Sequence, residues 1–248
     1  MDLEGRKIVI TGGGGTLGLV IAEQLASRGA ELMLWCHSRG RDAVDALKCA
    51  GYHAEFVNGD VSDERATAAA ARSIGERWDR VDGVVNNAAT MSGFSPLTEV
   101  TVEKFDYPWA VNVRGAWLVA RDLMPLLQNS AAARIVHMGS DTTRLGSPFA
   151  ISHVASKSAL EGLTRGMASE LGMQGMTVNL VVPGLFDTPV AREKAPAHVW
   201  DAMRDRQALK DRNNLPQDIA PSVAFLQSDA AARITGQTLF VNAGAYFG

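Results

Sequence analysis

Cysteine is nearly absent: Cys36 and Cys49 are the only two in 248 residues, and their spacing suits neither a zinc site nor a redox pair. They read as free thiols of a cytoplasmic protein. No apolar run approaches the roughly 18–20 residues of a membrane helix. The opening Met1-Asp2-Leu3-Glu4-Gly5 lacks the basic and apolar parts of a signal peptide. Positive charge is short as well, with 24 Lys and Arg against 27 Asp and Glu, a net charge of −3. No field of that sign gathers nucleic acid. No His, Asp or Glu cluster has metal-ligand spacing. Tyrosine is the scarcest aromatic, with three in the chain and none between positions 108 and 245. Repeats, low-complexity tracts and linker-like stretches are missing too. What remains is one globular domain over residues 1–248, 46% hydrophobic and 21% charged.

Strand and helix patterns alternate along that domain. Strands are expected at Lys7–Thr11, Glu31–Cys36, His53–Asn58, Val81–Asn86, Arg134–Gly139, Thr177–Val182 and Thr238–Asn242. Helices are expected at Leu17–Arg28, Arg41–Ala50, Asp63–Trp78, Val102–Leu127, Ser152–Met173 and Gln217–Ser228. The long Val102–Leu127 segment should break near Pro108. Residues 185–213 are charged and aperiodic, and are expected to form a mobile substrate lid with short helices. Alternation of this kind implies an α/β fold, a doubly wound parallel sheet of about seven strands flanked by helices. Ligands of such sheets bind beyond the carboxyl ends of the strands.

Thr11-Gly12-Gly13-Gly14-Gly15-Thr16-Leu17-Gly18 stands at the first of those ends, between a strand and a helix. Glycines permit a tight turn and let backbone approach a pyrophosphate. The free N–H groups and positive dipole of the helix start then meet the phosphate charge. In this context the chain resembles the short-chain dehydrogenases/reductases, and the resemblance covers essentially its whole length. The family's single-domain branch carries T-G-x-x-x-G-x-G here. Thr11, Gly12 and Gly18 match, but Thr16 occupies the middle glycine, and Gly15 gives the spacing of the longer branch. The implied fold is a single-domain Rossmann sheet.

The resemblance assigns cofactor contacts to Gly12, Gly15, Thr16, Leu17 and Gly18, and to Asp60-Val61, which is similar to the family's adenine-binding pair. Asn87 and Ala88, in Asn86-Asn87-Ala88-Ala89, resemble N-N-A-G. Pro183, Gly184 and Thr188 resemble the segment that borders the nicotinamide. An acid at the end of the second strand would select NAD(H) by bonding the ribose hydroxyls. Cys36 takes that place, followed by His37, Ser38 and Arg39, with Arg41 close by. A guanidinium without an acid suits a 2′-phosphate, so NADP(H) is favoured and NAD(H) is the alternative.

The family's active site pairs Asn, Ser, Tyr and Lys. Asn112 in Asn-Val-Arg-Gly, Ser140 after the fifth strand, and Lys157 match three of these. By resemblance Asn112 orders a relay water, Ser140 bonds the reacting oxygen and Lys157 also holds the nicotinamide ribose. The tyrosine position holds His153, in His-Val-Ala-Ser-Lys. Residues four apart share a helix face, so His153 and Lys157 project together. The Lys157 ammonium disfavours imidazolium, so His153 should be neutral near pH 7 and able to act as acid or base. Imidazole is shorter than phenol by roughly 2 Å, which a water or a deeper substrate would bridge.

Three readings follow: an NADP(H)-dependent oxidoreductase of small carbonyl or alcohol substrates, a dehydratase, isomerase or cyclase on the same scaffold, and an inactive dinucleotide binder. The first leads, because Asn112, Ser140 and Lys157 are kept together. Loops after the fourth, fifth and sixth strands supply candidate substrate contacts, chiefly Met91, Arg144 and Phe186, with Phe94, Leu145, Phe149, Leu185 and Trp200 nearby. His137 is expected in the core and His53 at the surface. The resemblance further implies a homotetramer or homodimer, with Trp109 and Trp117 in a subunit contact.

Overall fold

The computed structural model of the chain describes residues 2–38, 40–91, 95–194 and 197–247. Its strands are β1 (Lys7–Thr11), β2 (Glu31–Cys36), β3 (Ala54–Asn58), β4 (Gly83–Asn86), β5 (Arg134–Met138), β6 (Thr177–Pro183) and β7 (Thr238–Val241). Its α-helices are α1 (Thr16–Ala26), α2 (Gly40–Cys49), α3 (Glu64–Gly75), α4 (Val102–Pro108), α5 (Gly115–Leu127), α6 (Thr142–Leu145), α7 (Ile151–Leu171), α8 (Pro189–Lys194), α9 (Ala197–Arg206) and α10 (Pro216–Gln227). All strands pair in parallel, in the order β3-β2-β1-β4-β5-β6-β7. The winding reverses between β1 and β4, where Thr11 faces Asn86 across the ladder. A doubly wound sheet opens its ligand crevice at that switch.

The strands β1, β2, β4, β5 and β6 are buried on both faces, which is why they read as apolar runs. In β1, Ile8 and Ile10 join Leu32, Leu34, Val136 and Val181 under α1 and α10. Val9 faces the opposite way, joining Met33, Val84, Ile135 and Val178 under α3, α5 and α7. Burying one such side chain stabilises the fold by about 1.5–3 kcal/mol relative to exposure. Asp63 caps α3 by accepting from the Arg65 and Ala66 amides at 2.8 and 2.9 Å. By contrast α1 begins at Gly15 with no side-chain cap and no acid in its first turn. Its N-terminal amides are left for a ligand.

One expectation changes. Val102–Leu127 does not break at Pro108. Proline removes one i→i−4 bond there, and the helix widens into a π-helical turn over Trp109–Arg114 before resuming as α5. Residues 185–213 hold short helices as expected, α8 and α9, and a Phe186–Asn214 bridge joins the start of the segment to the residue after it. The four-residue α6 was not foreseen. Both cysteines are free, Cys36 buried and Cys49 exposed. Trp109 is half-buried, 6.5 Å from the Phe105 ring, and exposed Trp117 lies under Arg121. Among the described residues, two other than glycine are left-handed, Phe149 (φ 62°) and Ala243 (φ 53°). That conformation costs an L-residue about 1–2 kcal/mol. Among the described residues, no helix is long and apolar enough to cross a membrane.

Candidate active site

The glycine turn is built from two strand ends. Thr11 Oγ1 accepts the Asn87 and Ala88 amides at 3.1 and 3.0 Å and donates to Val85 O. The Asn87 side chain returns two bonds, to Thr11 O (3.1 Å) and Gly12 O (3.2 Å). Gly12 (φ 64°) passes so close to β4 that a Cβ there would meet Ala88 Cα at 3.0 Å. A Cβ on Gly18 would strike Gly12 O, Gly13 Cα and the Asn87 amide, all of them held in place. This crowding bars side chains from the inside of the turn and brings its backbone up to the uncapped start of α1. Thr16 is simply the first residue of α1, and Leu17 packs against the core. The turn therefore fits a dinucleotide pyrophosphate. Gly18→Ala is expected to weaken nicotinamide dinucleotide binding by about 10- to 100-fold, since overpacking of fixed backbone costs about 1–3 kcal/mol. Isothermal titration reads it, and unchanged affinity would show that the turn can yield.

At the end of β2, the buried Cys36 thiol accepts the Gly14 amide at 3.1 Å. Burial raises its pKa, so it stays a neutral thiol there, although the Gly13 and Gly14 amides pull the other way. His37 and Ser38 are exposed beside it, and the Arg41 guanidinium lies 5.5 Å above the Phe56 ring. Arg39 lies outside the described residues. Asp60 turns its Oδ1 to the Ser62 amide and hydroxyl at 2.8 and 2.7 Å, and Val61 is buried. Gly184 is packed against Asn214 and Asn242 at the end of β6, next to Pro183. Thr188 is buried, and its Oγ1 accepts the Ala191 amide in the first turn of α8.

Asn112 and His153 are tied to Thr90 after β4, Lys157 is tied to Met138 at the end of β5, and Ser140 follows β5. The Asn112 amide is wholly engaged. Its Oδ1 accepts Thr90 N at 2.9 Å, and its Nδ2 donates to Thr90 O (3.2 Å) and Ser156 Oγ (3.0 Å). Ser156 Oγ then donates to His153 O at 2.9 Å. The Thr90 carbonyl also receives His153 Nδ1 at 3.4 Å. Lys157 Nζ donates to Met138 O at 2.7 Å, two residues before Ser140. Ser140 Oγ shares a 2.8 Å hydrogen bond with Thr142 Oγ1.

The electrostatics follow from burial. His153 is lowered to about 4, chiefly by desolvation and then by the Lys157 charge, with the Thr90 carbonyl opposing. Lys157 is lowered to about 8 by burial. His137, the neighbour of Met138, is lowered to about 4 for the same two reasons as His153. It lies in the core, as expected, against Asn86 at 3.2 Å, while His53 is exposed.

On the substrate side, Met91 is exposed at the mouth, immediately after Thr90. Arg144 pairs with Glu161 at 2.8 Å and lies 6.0 Å above the Phe240 ring. Phe186 packs against the core beside the α1 layer. Phe94 lies outside the described residues. Thr90, Ser156 and Asp141 were missed from sequence. Asp141 follows Ser140, is buried, and its Oδ2 has no hydrogen-bond partner in the described structure. Burial raises its carboxyl to about 6 against the pull of the Asp141 and Thr142 amides and the Arg206 charge. Among the described residues, no three His, Cys, Asp or Glu side chains gather as a metal site.

Comparison with known proteins agrees with this architecture. Residues 14–246 match a family model described as enoyl-(acyl carrier protein) reductase. Versicolorin reductase 1 of Aspergillus parasiticus is 33% identical over 260 residues, spanning 98% of this chain and 97% of the relative. L-rhamnose 1-dehydrogenase (NADP(+)) of Thermoplasma acidophilum is 29% identical, spanning 98% of this chain and 97% of its own length. A short-chain dehydrogenase/reductase structure from Serratia marcescens superposes with a TM-score of 0.91 at 30% identity, covering 99% of both chains. Strand order, switch-point turn and whole-length similarity together place the chain in the short-chain dehydrogenase/reductase family of oxidoreductases.

Proposed function

We propose that the protein is an NADP(H)-dependent oxidoreductase that interconverts a small alcohol and its carbonyl, with His153 as the proton acceptor from the alcohol. One observation carries the role: His153 Nδ1 faces the Thr90 carbonyl, an obligate acceptor. The ring proton therefore sits on Nδ1, and Nε2 keeps the lone pair. A substrate hydroxyl donates to Nε2, and the Ser140 hydroxyl steadies the same oxygen. The bound nicotinamide supplies the hydride acceptor. As hydride leaves the carbinol carbon, the hydroxyl proton passes to Nε2 and the carbonyl product remains. Burial, and then the Lys157 charge, disfavour a lasting imidazolium, which returns the proton to solvent and resets the base. Asn112 acts one step back, fixing the Thr90 carbonyl that sets the tautomer.

The glycine turn and the uncapped α1 hold the pyrophosphate, and Lys157 holds the nicotinamide ribose. A neutral Cys36 thiol, where a carboxylate would bond ribose hydroxyls, leaves room for a 2′-phosphate without repulsion. Absorbance at the reduced nicotinamide band, across a panel of secondary alcohols with NADP⁺, tests the activity. The expected result is nicotinamide reduction and a Kd for NADPH at least tenfold below that for NADH. Tight cofactor binding with no absorbance change on any alcohol or ketone would sink the oxidoreductase reading of this site. Tighter NADH binding would reverse the cofactor choice.

A further inference from the structure

The loop that joins α6 to α7 contains two left-handed residues, Gly146 (φ 64°) and Phe149 (φ 62°). Gly146 suits such a turn, because a residue without Cβ adopts it freely. Phe149 does not, since a bulky side chain in that conformation is an outlier. Its ring does not compensate by packing, because it is 60% exposed and joins none of the three apolar clusters. Backbone geometry alone would favour glycine, and solubility would favour a polar residue. An aromatic ring that meets neither demand points to a ligand that covers it.

The ring's neighbours say which ligand. The Phe149 carbonyl accepts the Ser95 amide at 2.9 Å, which binds this loop to the segment after β4. That segment carries Thr90, whose carbonyl holds His153, and then Met91, 58% exposed. Ile151, 42% exposed, opens α7 two residues before His153. Three exposed apolar side chains thus stand on the two chain segments that deliver His153.

We propose that Phe149 is an apolar clamp of the substrate cleft, selecting alcohols with an aromatic ring on the carbinol carbon. The ring stacks on the substrate's aromatic face and Met91 borders it, while His153 and Ser140 hold the oxygen. The proposal rests on the function given above, and binding separates the two. The probes are 1-phenylethanol and 2-butanol with NADP⁺-saturated protein, compared in the wild type and in Phe149→Gly and Phe149→Ala.

Wild-type protein is expected to bind 1-phenylethanol about tenfold more tightly than 2-butanol by ligand-observed NMR, and both variants to lose most of that ratio. Phe149→Gly should at the same time raise Tm by about 2–5 °C, because the backbone strain is relieved. A variant that gains stability while losing aryl selectivity separates a ligand contact from a structural one. Equal wild-type affinity for the two alcohols, or an unchanged ratio in both variants, overturns the clamp. So does a fall in Tm for Phe149→Gly, since the ring would then be supporting the fold. If 1-phenylethanol binds, loses affinity in the variants, and is never oxidised, the clamp stands and the redox assignment falls.

Discussion

His153→Phe is expected to lower kcat for alcohol oxidation by about 10²- to 10⁴-fold, the usual contribution of a positioned acid or base. NADPH affinity should change little, since the glycine turn is built from Thr11, Asn87 and α1. The split between kcat and cofactor binding is what marks a group acting on the reacting proton. His153→Tyr is the informative partner. A phenol at this position has the longer reach typical of the family, so carbonyl reduction should persist or rise. If His153→Tyr folds but is as inactive as His153→Phe, imidazole has a role that phenol cannot fill. The pH profile adds a third reading. With its pKa near 4, His153 keeps the Nε2 lone pair through neutral pH, so kcat/KM for the alcohol should lose no basic form between pH 8 and 5. An acid limb near pH 6.5 would mean that burial does not depress the imidazole in solution.

Asp141→Asn is expected to stabilise the protein by about 1–3 kcal/mol at pH 7.5, while leaving stability at pH 3.5 nearly unchanged. The sign follows from the raised carboxyl, about 6 in the folded chain against an ordinary 3.8. Below 3.8 the carboxyl is protonated both folded and unfolded, and its contribution is fully present. As pH rises through 4–6 the unfolded chain ionises first, so stability drains away. Above about 6 the loss is complete and constant. Its Oδ2 has no hydrogen-bond partner among the described residues, so ionisation is not offset there. Asparagine removes the ionisation without changing the shape. Urea unfolding of both forms at the two pH values measures the difference, and the comparison cancels the acid sensitivity of His137 and His153. A variant less stable at pH 7.5 would show that the charge is satisfied in solution.

The sheet was legible because strands buried on both faces leave apolar runs, as Lys7–Thr11 and Thr177–Pro183 do. The glycine turn was legible because its chemistry is covalent: missing Cβ atoms appear directly as glycine. Asn112, Ser140, His153 and Lys157 could be named only through the family resemblance, and the structure ties Asn112 and His153 to Thr90 after β4 and Lys157 to Met138 at the end of β5. What ties Asn112 to His153 could not be read, because it is the Thr90 carbonyl, and every residue has one. The pairing of Arg144 with Glu161 on α7 could not be read either. Phe186 follows a strand but turns inward, held by the Asn214 bridge. Pairings of this kind depend on which surfaces meet after folding, and local pattern does not carry that. Pro108 misled in the other direction. Its missing N–H did disturb the helix, and the structure absorbed the disturbance as a wider turn.

That wider turn constrains the lineage of the chain more than any side chain in it. Removing one residue from Trp109–Arg114 would let the π turn close to ordinary α spacing with its flanks nearly in phase, and would change which residue the turn itself presents. Asn112 sits inside the turn, bonded to backbone on one side and to Ser156 on the other. Substitutions there could accumulate over descent, whereas a one-codon deletion would unhitch Asn112 and the Thr90 carbonyl together.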